Sequence, residues 1–205
     1  MAITLEKGQR VDLTKGNPGL SKVMVGLGWD PVQTQKNGKG GLLGSLFGGG
    51  SKGPEIDCDA SVIMLQDDKF VDKSDLVYFG KLKSDNGSVQ HTGDNLTGEG
   101  DGDDEQVFVD LKDVPQKYNK LVFVVNIYDC KRRKQDFGMI ENAFIRLQDT
   151  QKRDEMLRYN LSDDYSGRTT LIAGELYRQG NEWKFAAVGE GTTDASLSEI
   201  VQRYV

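Results

Sequence analysis

The sequence predicts an all-β, mainly antiparallel protein, built as a two-sheet β-sandwich with a few short helices. Three observations carry that expectation. Polar and apolar residues alternate with period two along most of the 205-residue chain, in stretches rich in Val, Ile, Phe and Tyr that suit a pleated surface. Turn signals built on Gly, Asn and Pro fall between those stretches. The long helical periodicity that crossover connections would leave is missing, which argues for a sandwich rather than a doubly wound sheet.

In chain order, the first expected strands are 3–5, 10–13 and 22–29, with Lys15-Gly16-Asn17-Pro18-Gly19 turning the chain between the second and third. Further strands are expected at 56–65, 76–79, 106–111, 121–129, 141–149, 155–161, 169–178 and 182–189. Asp85-Asn86-Gly87 reads as a turn, and Gln179-Gly180-Asn181 as the turn of a closing hairpin. Helix is expected in two places. Residues 113–120 suggest one or two turns. At the C-terminus, Leu197, Ile200, Val201 and Tyr204 fall at i, i+3, i+4 and i+7 behind a Thr/Asp/Ser cluster at 192–196, so an apolar stripe should lie on one end of a sheet.

Hydrophobic residues make up 37% and charged residues 28%, a globular composition with enough apolar surface for one core. Residues 1–205 therefore read as one domain. It carries a flexible glycine-rich loop at about 36–53, which holds eight glycines in eighteen residues and too few side chains to pack as a regular element. No apolar run approaches the length of a membrane span, MAITLEKGQR has no signal-peptide core, and Cys58 and Cys130 form no disulfide framework. A cytoplasmic protein with reduced thiols is the expectation.

The chain has 32 acids against 26 bases, net −6, and residues 94–105 (DNLTGEGDGDDE) hold six of the acids and no base. Without that segment the charge balances, so nucleic acid is not an expected partner. The acids are interleaved with glycines that allow a tight backbone path and inward-pointing carbonyls. Carboxylate and carbonyl oxygens favour hard cations, and an irregular glycine loop suits Ca²⁺ better than octahedral Mg²⁺. A solvated acidic loop is the alternative. Upstream, period two places Asp57, Asp59 and Ser61 on one strand face, the two carboxylates about 7 Å apart, at the start of a face that continues through Ile63 and Leu65 into the core. They read either as cation ligands or as rim aspartates capping loop amides. An EF-hand is rejected, because Val62 stands where that loop requires glycine.

His91, the single histidine, reads as an exposed rim residue, Lys131–Lys134 as a solvated turn, and Trp29 and Trp183 as core or rim aromatics. No nucleophile–base setting is visible, so an enzyme is not expected.

The segments LEKGQRVDLTKGNPGLSKVMVGLGWD, IDCDAS, HTGDNLTGEGDGDDE, QDFGMIENAFIRLQD and GELYRQGNEWKFAAVGEG together resemble the TerD family of bacterial tellurium-resistance and stress proteins. The likeness spans about residues 3–204 apart from the glycine insert. It implies a sandwich that binds one or two Ca²⁺ ions through the aspartate strand and the acidic loop. It also implies a cytoplasmic stress-response role, tellurite resistance included, with other Ter-type proteins and the inner membrane surface as partners. Residue by residue, Asp57 and Asp59 match the family's D-x-D, while Asp94, Asn95, Glu99, Asp101, Asp103, Asp104 and Glu105 match its acidic loop. Cys58, the glycine insert and Lys131–Lys134 look particular to this chain. Two other functions stay open: a C2-like Ca²⁺-dependent membrane binder that inserts Leu42, Leu43, Leu46 and Phe47, and a metal-dependent hydrolase, which would need a base and a basic side chain beside the acids.

Overall fold

The computed structural model describes residues 2–32, 56–93 and 102–205. Its strands are β1 (Ile3–Leu5), β2 (Arg10–Asp12), β3 (Lys22–Pro31), β4 (Cys58–Leu65), β5 (Leu76–Val77), β6 (Val89–His91), β7 (Glu105–Asp110), β8 (Lys120–Ile127), β9 (Ile140–Asp149), β10 (Asp154–Asn160), β11 (Thr170–Gln179) and β12 (Glu182–Thr192). They form two six-stranded sheets, ordered β1-β10-β9-β3-β7-β6 and β2-β12-β11-β8-β4-β5. Every pairing is antiparallel except that of β1 with β10. β11 and β12 form the expected hairpin.

The period-two pattern sorts the side chains. Val23, Val25, Leu27 and Trp29 of β3 face Cys58, Ala60, Val62 and Met64 of β4 in one core between the sheets, joined by Phe123 of β8 and Phe185 of β12. The opposite face of β4 builds a second, smaller core. Ile63 and Leu65, with Val122, Val124 and Ile172, are covered by Ile200 and Val201. These last two lie where α2 (Leu197–Ile200) passes into a 3-10 turn (Val201–Tyr204), capped at its start by Ser196, whose hydroxyl accepts from Glu199 N–H. The C-terminal stripe thus lies on a sheet as expected. The Asp57–Leu65 face, however, leads to this outer core rather than to the one between the sheets.

Two expectations about local structure need correction. Residues 113–120 form successive turns, not a helix. Pro115 has no N–H to give, and the carbonyls of Val114 and Tyr118 accept from the Arg178 guanidinium instead of from a following helical turn. Strand β6 was not expected: Val-Gln-His is too short to show a period, and its pairing with β7 makes it a strand. The glycine-rich 36–53 loop lies outside the described residues.

Candidate metal centre

The register brings the two acidic stretches to one end of the sandwich. Cys58 pairs with Ile127 at the start of β4, and Leu27 pairs with Glu105 at the start of β7. A hydrogen bond then crosses between the sheets there: Ala60 N–H donates to Glu105 Oε2 at 2.6 Å.

On the β4 side, Asp59 is only 5% exposed although it faces away from the main core. It stands in a row with Asn126, Thr170 and Thr192 of the neighbouring strands, all buried. Thr170 Oγ1 donates to the Asp194 carbonyl at 2.7 Å, which holds the approach to α2 over that row. Asp57 precedes the strand; its carbonyl accepts from Tyr128 N–H at 2.8 Å, and its carboxylate lies 3.7 Å from Arg133 Nη2. Arg133 belongs to the basic run, which is expected as a solvated turn and makes a single helical turn, α1 (Cys130–Arg133). Lys131 pairs with Glu199 and Arg132 with Asp129, so the run meets acids of its own chain.

On the β7 side, three successive acids point three ways. Asp103 folds over the outer face of its sheet, above Gly26, where Arg146 takes both of its oxygens at 2.6 and 2.8 Å. Asp104 extends the ladder along β3: its N–H donates to the Leu27 carbonyl at 2.8 Å and its Oδ2 accepts from Trp29 N–H at 2.7 Å. Glu105 turns inward and is 1% exposed. His91 Nδ1 accepts from Gly93 N–H at 3.0 Å, which leaves Nε2 to donate to Glu105 Oε2 at 3.1 Å. The expected exposed rim histidine is therefore a core one, 4% exposed, because β6 points Val89 and His91 inward together. Trp29 and Trp183 are core residues, as expected.

The electrostatics record the convergence. Burial pushes the Cys58 thiol well up, and the charges of Asp59, Asp57, Glu105 and Asp104 push it further. The Asp104 carboxyl rises to about 6, through burial first, against the Trp29 hydrogen bond and with help from Asp30, Glu105 and Asp103.

Asp57, Asp59, Asp104 and Glu105 thus share one rim, while Asp103 is led to the outer face of the other sheet. Asp94, Asn95, Glu99 and Asp101 lie outside the described residues. Among the described residues, no three His, Cys, Asp or Glu side chains come together closely enough to hold a metal ion by themselves. The chemistry of the rim nonetheless suits a hard cation. Its donors are carboxylate oxygens, burial together with the charges of Asp30, Glu105 and Asp103 keeps Asp104 protonated to higher pH, and the one thiol beside them is buried and held neutral.

Residues 1–204 match the TerD domain. The chain belongs to the TerD family. It is 66% identical over 205 residues to "Stress response protein SCP2" of Bacillus subtilis (strain 168), with 100% of both chains covered. It is 43% identical over 203 residues to "Tellurium resistance protein TerD" of Serratia marcescens, covering 98% of this chain and 97% of that one. The crystal structure of a homologue of telluride resistance protein (TerD) from Streptomyces coelicolor A3(2) superposes with a TM-score of 0.64 at 20% identity, covering 88% of this chain and 95% of that one, and so shares the fold. In this TerD domain, no helix of the described residues is long and apolar enough to cross a membrane.

Proposed function

We propose that this TerD-family chain is a cytoplasmic Ca²⁺-binding stress-response protein of the tellurite-resistance type, acting as an interaction module and not by catalysis. One observation carries the reading. Acids from two segments on different sheets, Asp57 and Asp59 on one and Asp104 and Glu105 on the other, crowd like charge at a single rim, where together they raise the Cys58 thiol beyond what burial does. A divalent cation held by Asp57, Asp59 and Asp104, with donors from Asp94, Asn95, Glu99 and Asp101, relieves that crowding and fixes the surface offered to a partner. Other Ter-type proteins and the inner membrane surface are the partners this reading names. The names of the relatives, a stress response protein and a tellurium resistance protein, support the biological setting. Against catalysis stands His91, the chain's single histidine, whose two ring nitrogens are engaged inside the core. Calorimetric titration with CaCl₂ and MgCl₂ tests the proposal. One or two Ca²⁺ per chain, with Mg²⁺ weaker, is expected; no Ca²⁺ uptake at millimolar concentration overturns it. Sedimentation with anionic vesicles, with and without Ca²⁺, tests the membrane as partner.

A further inference from the structure

We propose that Asp103 and Glu105 are positioning residues, not cation ligands. They fasten the backbone on either side of Asp104 to the two sheets and so aim that carboxylate. This deepens the Ca²⁺ reading above and rests on it.

The Asp103 side chain has no exposed surface. Arg146 Nε donates to Oδ1 and Nη2 to Oδ2, a forked pair that fixes orientation as well as charge, and Gln106 Nε2 adds a bond to Oδ2 at 3.0 Å. Arg146 is itself held by Glu155 at 3.1 Å. The backbone is shaped for this arrangement. Gln106, Gly26 and Arg146 stand in one row across β7, β3 and β9, and a Cβ at Gly26 would collide with the Asp103 carboxylate. A cation bound through Asp103 would have to expel a half-buried guanidinium from a site fitted to it.

Glu105 does a matching job on the inner side. Its Oε2 accepts from Ala60 N–H of the opposite sheet and from His91 Nε2, while His91 Nδ1 holds Gly93 N–H. Gly93 is the last described residue before the acidic segment, and Asp103 stands near its other end. One hydrogen-bonded chain, Gly93–His91–Glu105–Ala60, therefore ties the entry of the segment to its exit and to the strand that follows Asp57. Asp103, which precedes β7 and so escapes its alternation, and Glu105, the strand's first residue, are drawn to opposite faces of the sheet, and Asp104 between them remains at the rim.

Calorimetry with CaCl₂ on the full chain tests the assignment through wild type, Asp103→Asn, Arg146→Gln, the double variant, Arg146→Lys and Glu105→Gln. Folding of each is checked by far-UV circular dichroism. Positioning residues leave the number of ions unchanged and weaken affinity, by about 10–100-fold. Asp103→Asn and Arg146→Gln should do so alike, the double variant no more than either alone, because the two act as one unit. Arg146→Lys, which keeps the charge but not the forked geometry, should fall between. Glu105→Gln, which keeps an acceptor for Ala60 and His91, should retain the wild-type ion count. Loss of an ion in Asp103→Asn, with affinity kept or tightened in Arg146→Gln, is the behaviour of a ligand released from its arginine and overturns the proposal. So does loss of an ion in Glu105→Gln. Lowered melting temperatures with unchanged affinity throughout would mean a purely structural role and overturn it as well. Wild-type protein that takes up no Ca²⁺ brings down the underlying reading, an outcome separate from all of these.

Discussion

His91 and Glu105, on neighbouring strands, are joined by a hydrogen bond of 3.1 Å inside the sandwich, with the imidazole as donor. Both side chains are buried, so each serves as the other's replacement for water. His91→Phe keeps an aromatic of similar bulk but removes the donor to Glu105 and the acceptor for Gly93 N–H. Leaving buried polar groups short of a partner should cost about 1–3 kcal/mol. Urea unfolding followed by tryptophan fluorescence reads this directly; a change under about 0.5 kcal/mol would mean the bond contributes no more than a surface contact.

Gly26 lies under Asp103, and Gly28 lies against Phe144 and the Gly102 carbonyl. A methyl group at Gly26 has to displace the Asp103 carboxylate from Arg146 or bend β3. Gly26→Ala is expected to destabilise by about 1–3 kcal/mol or more, the range for overpacking. Gly16 meets nothing within 4 Å, so Gly16→Ala is the matched control, expected within about 0.5 kcal/mol of wild type. Equal melting temperatures for the two variants would contradict the packing described for β3.

Asp104 sets a pH dependence of unusual sign. Its carboxyl is lifted from 3.8 to about 6 in the folded chain. A group with a raised folded pKa stabilises while protonated: the contribution is complete below the unfolded value, near pH 4, and is lost as the pH climbs through about 6. Asp104→Asn keeps an acceptor for Trp29 N–H and removes the titration. In cation-stripped protein, the urea midpoint of Asp104→Asn minus that of wild type should therefore grow in the variant's favour from pH 4 to pH 7. A difference that stays level across that range refutes the burial and neighbouring charges that lift Asp104.

Much of the sandwich was legible because alternation reports directly on which face is buried. Every strand of six or more residues coincides with an alternating run read from the sequence. What escaped was decided by contacts distant in sequence. His91 reads as a polar rim residue until its strand is known to pair with β7 and its ring to meet Glu105, 14 residues away. Residues 113–120 carry helix-compatible residues, yet Arg178 claims their carbonyls from 60 or more positions downstream. Asp103 and Asp104 are chemically identical neighbours in the sequence. Only Gly26 and Arg146, on two other strands, separate them. The acidic segment announced that charge gathers here, but composition carries no information about which carboxylate the sheets would claim.

The last prediction couples the cation to the fold. The described inter-sheet core draws on strands of both sheets, among them Val25 of β3, Val62 of β4, Phe123 of β8, Ile145 of β9 and Phe185 of β12. Removing Ca²⁺ should therefore leave the far-UV circular dichroism β-type while loosening the rim, where the like charges of Asp57, Asp59 and Asp104 then lack the cation. A ligand that binds only the folded chain stabilises it by RT ln(1 + [L]/Kd), about 2.7 kcal/mol at a hundredfold excess over Kd. Two ions would add to less than twice that figure where they share carboxylates. At neutral pH the melting temperature should rise with added Ca²⁺ and fall with chelator. The rise should shrink below about pH 6, because ligating carboxylates must be deprotonated and Asp104 gains its proton there. Differential scanning fluorimetry across chelator and millimolar Ca²⁺, at pH 7.5 and pH 5, measures both effects. A melting temperature unmoved at pH 7.5, in protein shown by elemental analysis to have been stripped of bound ions, would mean that the acidic segment is a solvated face and that no cation joins the two sheets.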